Sequence, residues 1–85
     1  MNNRQKYTFI VEVYNDASVI QTNCIDFSVF NAGDGIITIN NFDIAPGQSF
    51  GLNGNIGEII TDVLYLSFAA GATIQKAQIV KRVYQ

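Results

Sequence analysis

The side chains that could perform chemistry are few in this chain, and their spacing matches no familiar catalytic site. The sequence contains no histidine and one cysteine, Cys24. Nucleophilic catalysis needs a base beside the nucleophile, so the common serine and cysteine mechanisms are absent. One cysteine without histidine cannot build a zinc site or an intramolecular disulfide. We predict no catalytic, cofactor-binding or metal-binding residues, and we interpret Cys24 as a small buried hydrophobe.

The acidic residues and the glycines offer two weaker possibilities. Glycosidase chemistry needs two carboxylates that face each other across a sugar, and no spacing among the seven acidic residues singles out a pair. Residues 51–57 faintly resemble a phosphate loop, but a predicted strand follows where the helix and its lysine should be. Residues 31–34 carry too few acids for a calcium site. The prediction is a protein that is not an enzyme and needs no cofactor.

Four tyrosines, Tyr7, Tyr14, Tyr65 and Tyr84, could stack against sugars or single-stranded nucleic acid. All four fall in predicted strands, where packing in a core or an interface is the commoner fate. We therefore expect them to serve packing, with no small-molecule substrate.

Composition bounds the class of protein. A length of 85 residues allows one domain, spanning residues 1–85. Charged residues make up 14% of the chain, against about 25% in a typical soluble domain. So low a charge content predicts that another molecule covers part of the surface. The net charge of −2 lacks the basic footprint of a nucleic-acid partner, and no apolar run is long enough to span a membrane.

The charges are distributed unevenly along the sequence. The simplest interpretation is that the first and last strands lie side by side, with their like charges in solvent. The alternative is a basic edge that meets an acidic edge on a neighbouring copy. The basic residues are Arg4, Lys6, Lys76, Lys81 and Arg82, and the acidic ones are Glu12, Asp16, Asp26, Asp34, Asp43, Glu58 and Asp62.

Strand signals recur at short intervals, and no stretch of the sequence has a good helical stripe. Residues 31–35 predict a tight turn with glycines at positive φ, and residues 45–48 predict a type II turn. Residues 50–57 read as a short strand or an irregular loop. The clearer strands are predicted at residues 7–14, 24–30, 36–42, 58–69 and 74–84.

Two of these strands carry apolar residues on both faces. Residues 58–69 predict a central strand that is buried twice, with one cover supplied by the domain or by another subunit. The imperfect alternation of residues 74–84 predicts a bulge or a face shared with a partner. Five to seven antiparallel strands in two packed sheets would bury these residues. The predicted fold is therefore all-β, a small antiparallel β-sandwich or jelly-roll-like domain.

One order of motifs runs from Phe27 onward. A strand ending in Asn31-Ala32-Gly33 precedes a β-branched strand, then Pro46-Gly47-Gln48-Ser49, a long strand and the ending Lys81-Arg82-Val83-Tyr84. This layout resembles small structural proteins of tailed bacteriophages, especially those infecting Bacteroidetes. The resemblance implies a virion component, such as a capsid decoration, head-fibre or tail-associated protein. Its implied partners are other virion proteins or copies of itself, and it implies no catalytic residues.

Immunoglobulin-like adhesion or carbohydrate-binding modules share the same turn motifs and provide the alternative function. Such a module should be monomeric with exposed aromatic residues, whereas a virion component should be assembly-bound with its aromatic residues buried. A start at Met1 without a visible targeting segment favours a stand-alone product, made in the host cytoplasm and carried in the virion. We also expect neighbouring molecules to hold the polar residues 1–5 in place.

Overall fold

The computed structural model describes residues 7–53 and 58–84, which form two four-stranded antiparallel sheets without a helix. The predicted all-β fold is confirmed, although these residues contain eight strands where five to seven were expected. The strands are β1 (Tyr7–Tyr14), β2 (Ser18–Gln21), β3 (Asp26–Asn31), β4 (Ile37–Ile39), β5 (Phe42–Ile44), β6 (Ser49–Asn53), β7 (Val63–Phe68) and β8 (Ala77–Tyr84).

The strand order is that of a jelly roll. The first sheet has the order β1-β8-β3-β6, and the second has the order β2-β7-β4-β5. Every connection passes from one sheet to the other except the hairpin between β4 and β5. Eight strands wound in this way form the two-sheet jelly roll, in which both sheets turn one face inward. β1 and β6 are consequently the edges of the first sheet.

The core lies between the two sheets and is built from the inward side of each alternating strand. Val29 of β3 and Ile79 of β8 face Ile37 and Ile39 of β4, and all four are almost completely buried. Because successive residues of a strand point to opposite faces, β-branched residues at every second position fill this layer.

The predicted strand at residues 36–42 is in fact a hairpin. β4 ends at Ile39, and β5 begins at Phe42 and pairs antiparallel with it. Asn40 and Asn41 form the turn with φ of 47° and 73°. A two-residue type I′ turn needs positive φ at both positions, and asparagine tolerates this conformation better than most residues. The Asn-Asn pair was a turn signal that the β-branched run obscured.

The predicted turn at residues 31–35 crosses between the sheets and does not close a tight hairpin. Gly33 and Gly35 do not adopt positive φ. A Cβ on Gly33 would lie 2.3 Å from the carbonyl oxygen of Ile74, so glycine is needed there for close approach of two backbones. The type II turn is confirmed: Gly47 has φ of 80°, and the amide of Gln48 donates to the carbonyl of Ala45.

The strand predicted at residues 58–69 is shorter and is buried on one face only. β7 begins at Val63, and before it Ile60 makes only an isolated bridge to Cys24. Leu64 and Leu66 point into the core, but Tyr65 between them is 62% exposed. The described residues therefore cover one face of this strand, and a second cover supplied by another subunit stays a prediction.

The adjacency of the first and last strands is confirmed. β1 pairs along its whole length with β8, from Tyr7 opposite Tyr84 to Tyr14 opposite Ala77. The register has no interruption, so of the two explanations for the imperfect alternation the bulge is wrong, and the face shared with a partner stays a prediction. β8 alternates regularly, and its apolar pairs arise because Val80 points to the outer face while Ile79 points to the core.

Some expectations fall outside the described residues. The glycine-rich stretch continues as β6 as far as Asn53, and its residues 54–57 lie beyond the described ranges. The polar start, residues 1–5, also lies outside them. The described residues contain no helix long and apolar enough to cross a membrane.

Candidate functional site

The outer face of the first sheet carries an exposed apolar stripe along β1. Alternation places Tyr7, Phe9, Val11 and Val13 on this face, and we call these four residues the β1 stripe. Each is about half exposed or more, and Phe9 reaches 64%. Val80 of the neighbouring strand lies directly opposite Val11 and widens the stripe. Contiguous apolar patches of this kind on soluble proteins mark interaction sites.

One end of the β1 stripe is fixed by aromatic and ionic contacts. The rings of Tyr7 and Phe9 meet edge to face, with centroids 6.4 Å apart. The guanidinium carbon of Arg82 lies 4.7 Å from the centroid of the Tyr7 ring, a cation–π contact. Arg82 also forms an ion pair with Asp26 on β3. Because Phe9 and Arg82 contact the Tyr7 ring on the same face of the sheet, this end of the stripe presents a defined surface.

The inward side of the same two strands contains a polar network. The Nζ atom of Lys81 donates to the carbonyl oxygen of Gln21 at 2.7 Å and lies 3.0 Å from Oε1 of Glu12. Tyr14 donates its hydroxyl proton to the same Glu12 oxygen at 2.8 Å. Burial and this hydrogen bond raise the pKa of Tyr14 to about 12. The network links β1 and β8 to β2 and so joins the two sheets.

Cys24 is completely buried beside this network, as its interpretation as a small hydrophobe predicted. Burial raises the pKa of its thiol, although the positive charge of Lys81 acts in the opposite direction. A buried thiol of this kind is a poor nucleophile because the reactive form is the thiolate. Its position indicates packing.

The outer face of the second sheet carries a different surface. The exposed ring of Tyr65 borders a shallow groove with Thr38, Asn40 and Asn41. The side-chain amide of Asn40 makes two hydrogen bonds to the backbone of β7. Its nitrogen donates to the carbonyl of Val63, and its oxygen accepts from the amide of Tyr65. The Thr38 hydroxyl donates to Asp43. The groove therefore presents the exposed ring of Tyr65 beside Asn40 and Thr38, whose side chains already bond within the domain.

The other residues weighed from the sequence serve structural roles. Asn31, considered for calcium, is fully buried and donates to the carbonyls of Gly35 and Ile44. The carboxylate of Asp34 accepts from the amide of Ile74. Among the described residues, no group of three or more His, Cys, Asp or Glu side chains could hold a metal ion. Of the four tyrosines, Tyr7 and Tyr65 are exposed, while Tyr14 and Tyr84 are partly buried.

Sequence reasoning missed the pairing of Lys81 with Glu12. It placed the basic residues of the last strand in solvent, but Lys81 is only 7% exposed. A signal was present, because Ala77, Ile79 and Lys81 occupy alternate positions and must share one face. Since the other two are core residues, this alternation directs Lys81 inward.

A comparison of the chain with protein-family models, curated proteins and solved structures finds no match.

Proposed function

We propose that this chain is a non-enzymatic structural protein of a tailed-phage virion, acting by self-association or by docking on the particle. The observation that carries this proposal is the β1 stripe, together with Val80 beside it. Four neighbouring apolar side chains remain exposed on one strand of a chain in which only 14% of the residues are charged. A partner that covers them provides the burial that the single chain lacks.

The chemistry of the stripe fits the centre of a protein interface. Interface centres are enriched in aromatic residues and depleted of charge, and polar residues surround them. Phe9 and Val11 lie in the middle of the stripe, and the ion pair of Arg82 with Asp26 lies at its border. Full burial of a side chain of this size contributes about 1.5–3 kcal/mol, so covering one that is already half buried contributes about half as much. Several such side chains on each of two partners support a specific association.

The fold and the interior agree with an assembly role. Eight-stranded jelly rolls occur in viral capsid proteins and in lectins, although a fold alone does not assign a function. Three polar side chains of the interior are engaged in structural contacts: Lys81 and Glu12 with each other, and Asn31 with the backbone. These engagements favour a structural protein over a catalyst.

Mass spectrometry of purified particles tests the virion location. Particles from a lysate of the producing cells are banded by density and digested. We expect peptides of this chain to co-purify with the major capsid protein at a constant ratio across the band. Peptides that remain in the soluble fraction, with none in the band, would contradict the proposal.

A carbohydrate-binding module is the second candidate, and one observation favours it. Exposed aromatic residues are what such a module requires, and Tyr65 on the outer face of the second sheet is 62% exposed. Sugars stack on such rings while neighbouring polar groups bond their hydroxyls, and Asn41 lines the same groove. In the virion proposal, by contrast, a partner covers the exposed aromatic residues.

Titration with a panel of oligosaccharides, followed by NMR chemical shifts, separates the two functions. A carbohydrate-binding module predicts saturable shifts centred on Tyr65 that the Tyr65→Ala variant abolishes. The matched control is Tyr7→Ala, which removes an exposed tyrosine from the other sheet. The virion proposal predicts no saturable shift with either protein.

A further inference from the structure

β1 lies at the edge of the first sheet with one side of its backbone open. In the part of the chain that the structure describes, only β8 pairs with β1. β1 has eight residues, whereas the edge strand β6 has five, β2 has four and β5 has three. An open edge offers a row of unpaired N–H and C=O groups to any strand that fits. β1 is therefore the longest of the four edge strands, and it offers the most backbone groups for pairing with another strand.

β1 lacks the usual protection of an exposed edge. Proteins guard such edges with proline, with lysine, with a bulge or with a charge that would be buried by pairing. β1 contains neither proline nor lysine, and its register with β8 has no bulge. Its one charged residue, Glu12, points inward and is neutralised by Lys81. Strand addition at this edge therefore leaves no charge without a partner.

We propose that β1 pairs antiparallel with β1 of a second copy, which joins two first sheets into one eight-stranded sheet. This inference rests on the proposed function and names the partner and the contact of its self-association. A second copy fits because the strand is complementary to itself. A two-fold axis perpendicular to the sheet keeps the outer face of one copy continuous with the outer face of the other.

The side chains favour a two-fold axis that passes between Val11 of one copy and Val11 of the other. That register places Val11 opposite its own copy and Phe9 opposite Val13, and an aromatic ring opposite a β-branched residue is a favourable cross-strand pair. The two β1 stripes then form one continuous apolar surface. An axis at Glu12 would set two carboxylates directly opposite each other, which is unfavourable. In this register the paired residues of the two copies run from Thr8 to Tyr14, and all of them belong to β1.

The first test compares two lysine variants by sedimentation over a range of protein concentrations. Val11→Lys places two ammonium groups opposite each other at the axis, so we expect the dimer dissociation constant to rise about tenfold or more. The control is Val19→Lys, which changes the same residue type on β2, the edge strand of the other sheet. Val19 is 66% exposed and Val11 is 56% exposed, so neither change should disturb the core.

The second test uses cysteine crosslinking with a short bifunctional maleimide. Val11→Cys should give a covalent dimer, and Val19→Cys should remain a monomer on a denaturing gel. The native Cys24 is buried, so we expect its thiol not to react with the maleimide. Circular dichroism of each variant verifies that the fold is retained before crosslinking.

The outcomes separate this inference from the proposed function. Crosslinking at Val11 together with weakened association of Val11→Lys is the expected result. If the wild-type chain associates but neither Val11 variant behaves as described, β1 pairing is overturned and assembly through another surface stands. If the wild-type chain does not associate, both this inference and the self-association form of the proposed function fail.

Discussion

The Nζ atom of Lys81 lies 3.0 Å from Oε1 of Glu12, on the inward side of the pair formed by the first and last strands. The side chain of Lys81 is 9% exposed, whereas that of Glu12 is 32% exposed. The two partners are therefore unequal, because Glu12 can turn towards solvent and Lys81 cannot. Burying an ammonium group is costly unless it is paired, so the carboxylate is what allows lysine at this position.

This inequality predicts that Glu12→Gln destabilises the domain more than Lys81→Met. Removal of Glu12 leaves a buried positive charge with the Gln21 carbonyl, and breaking a buried pair in this way costs about 3–5 kcal/mol. Removal of Lys81 leaves Glu12 free to reach solvent, so we expect a loss of about 1–2 kcal/mol. Urea unfolding at pH 7 measures both, with the double variant as control. Equal losses, or a larger loss for Lys81→Met, would contradict the account.

Stability should fall in alkaline solution because of Tyr14. Burial and the hydrogen bond to Glu12 raise the pKa of Tyr14 from 10.0 to about 12 in the folded state. The contribution is fully present below pH 10, and it is lost as the pH rises towards 12, because the unfolded state releases the proton first. Tyr14→Phe should cost about 1 kcal/mol at pH 7 and show a shallower decline above pH 10. Tyr65→Phe, which changes an exposed tyrosine, is the control. An unchanged decline in Tyr14→Phe would exclude Tyr14 as its source.

Neighbouring positions of β7 should differ greatly in the stability lost when a charge is introduced. Leu64 is buried in the core, so Leu64→Asp places an unpaired carboxylate between the sheets. The cost is several kcal/mol or more, comparable to the roughly 5–15 kcal/mol stability of a domain, and we expect the variant to be unfolded. Tyr65→Asp, on the exposed face, should cost about 1 kcal/mol or less. Thermal melting by circular dichroism distinguishes them, and a Leu64→Asp variant that melts near the wild-type temperature would show that the inward direction of Leu64 is wrong.

The buried amide of Asn31 should be important for the connection between the sheets. Its nitrogen donates to the carbonyls of Gly35 and Ile44, and its oxygen accepts from the amide of Gly33. Asn31→Ala leaves these groups without their partner, so we expect a loss of about 2–4 kcal/mol in unfolding free energy. Asn53→Ala, at an exposed position of β6, should change it by about 0.5 kcal/mol or less. Similar losses for the two variants would count against the bracing role of Asn31.

The class of fold was predictable because alternation reports directly which face of a strand is buried. Phe27 and Val29 on β3 follow this rule, and both are core residues. Turns were less predictable where backbone geometry depended on distant segments. Gly33 is required by the approach of the Ile74 carbonyl, which is remote in sequence. The type II turn at Gly47 depends on local residues alone and was predicted correctly.

The surfaces were less accessible to sequence reasoning than the core. Apolar residues on both faces of the predicted strands at residues 58–69 and 74–84 suggested a cover, but the sequence could not say which face the domain itself buries. The structure leaves Phe9 and Tyr65 exposed on the outer faces of different sheets. The inward direction of Lys81 depends on Glu12, a residue on another strand. Strand alternation indicates the inward direction of Lys81, but its ion pair depends on a strand distant in sequence and could not be predicted.

Sedimentation of the wild-type chain across a wide dilution range tests the central claim most directly. The account predicts a weight-average mass that rises with concentration, or that stays at or above twice 9.4 kDa throughout. Ordinary salt is sufficient, because the proposed contact depends on apolar side chains and backbone pairing. A single species of 9.4 kDa at every concentration would contradict self-association through the first sheet.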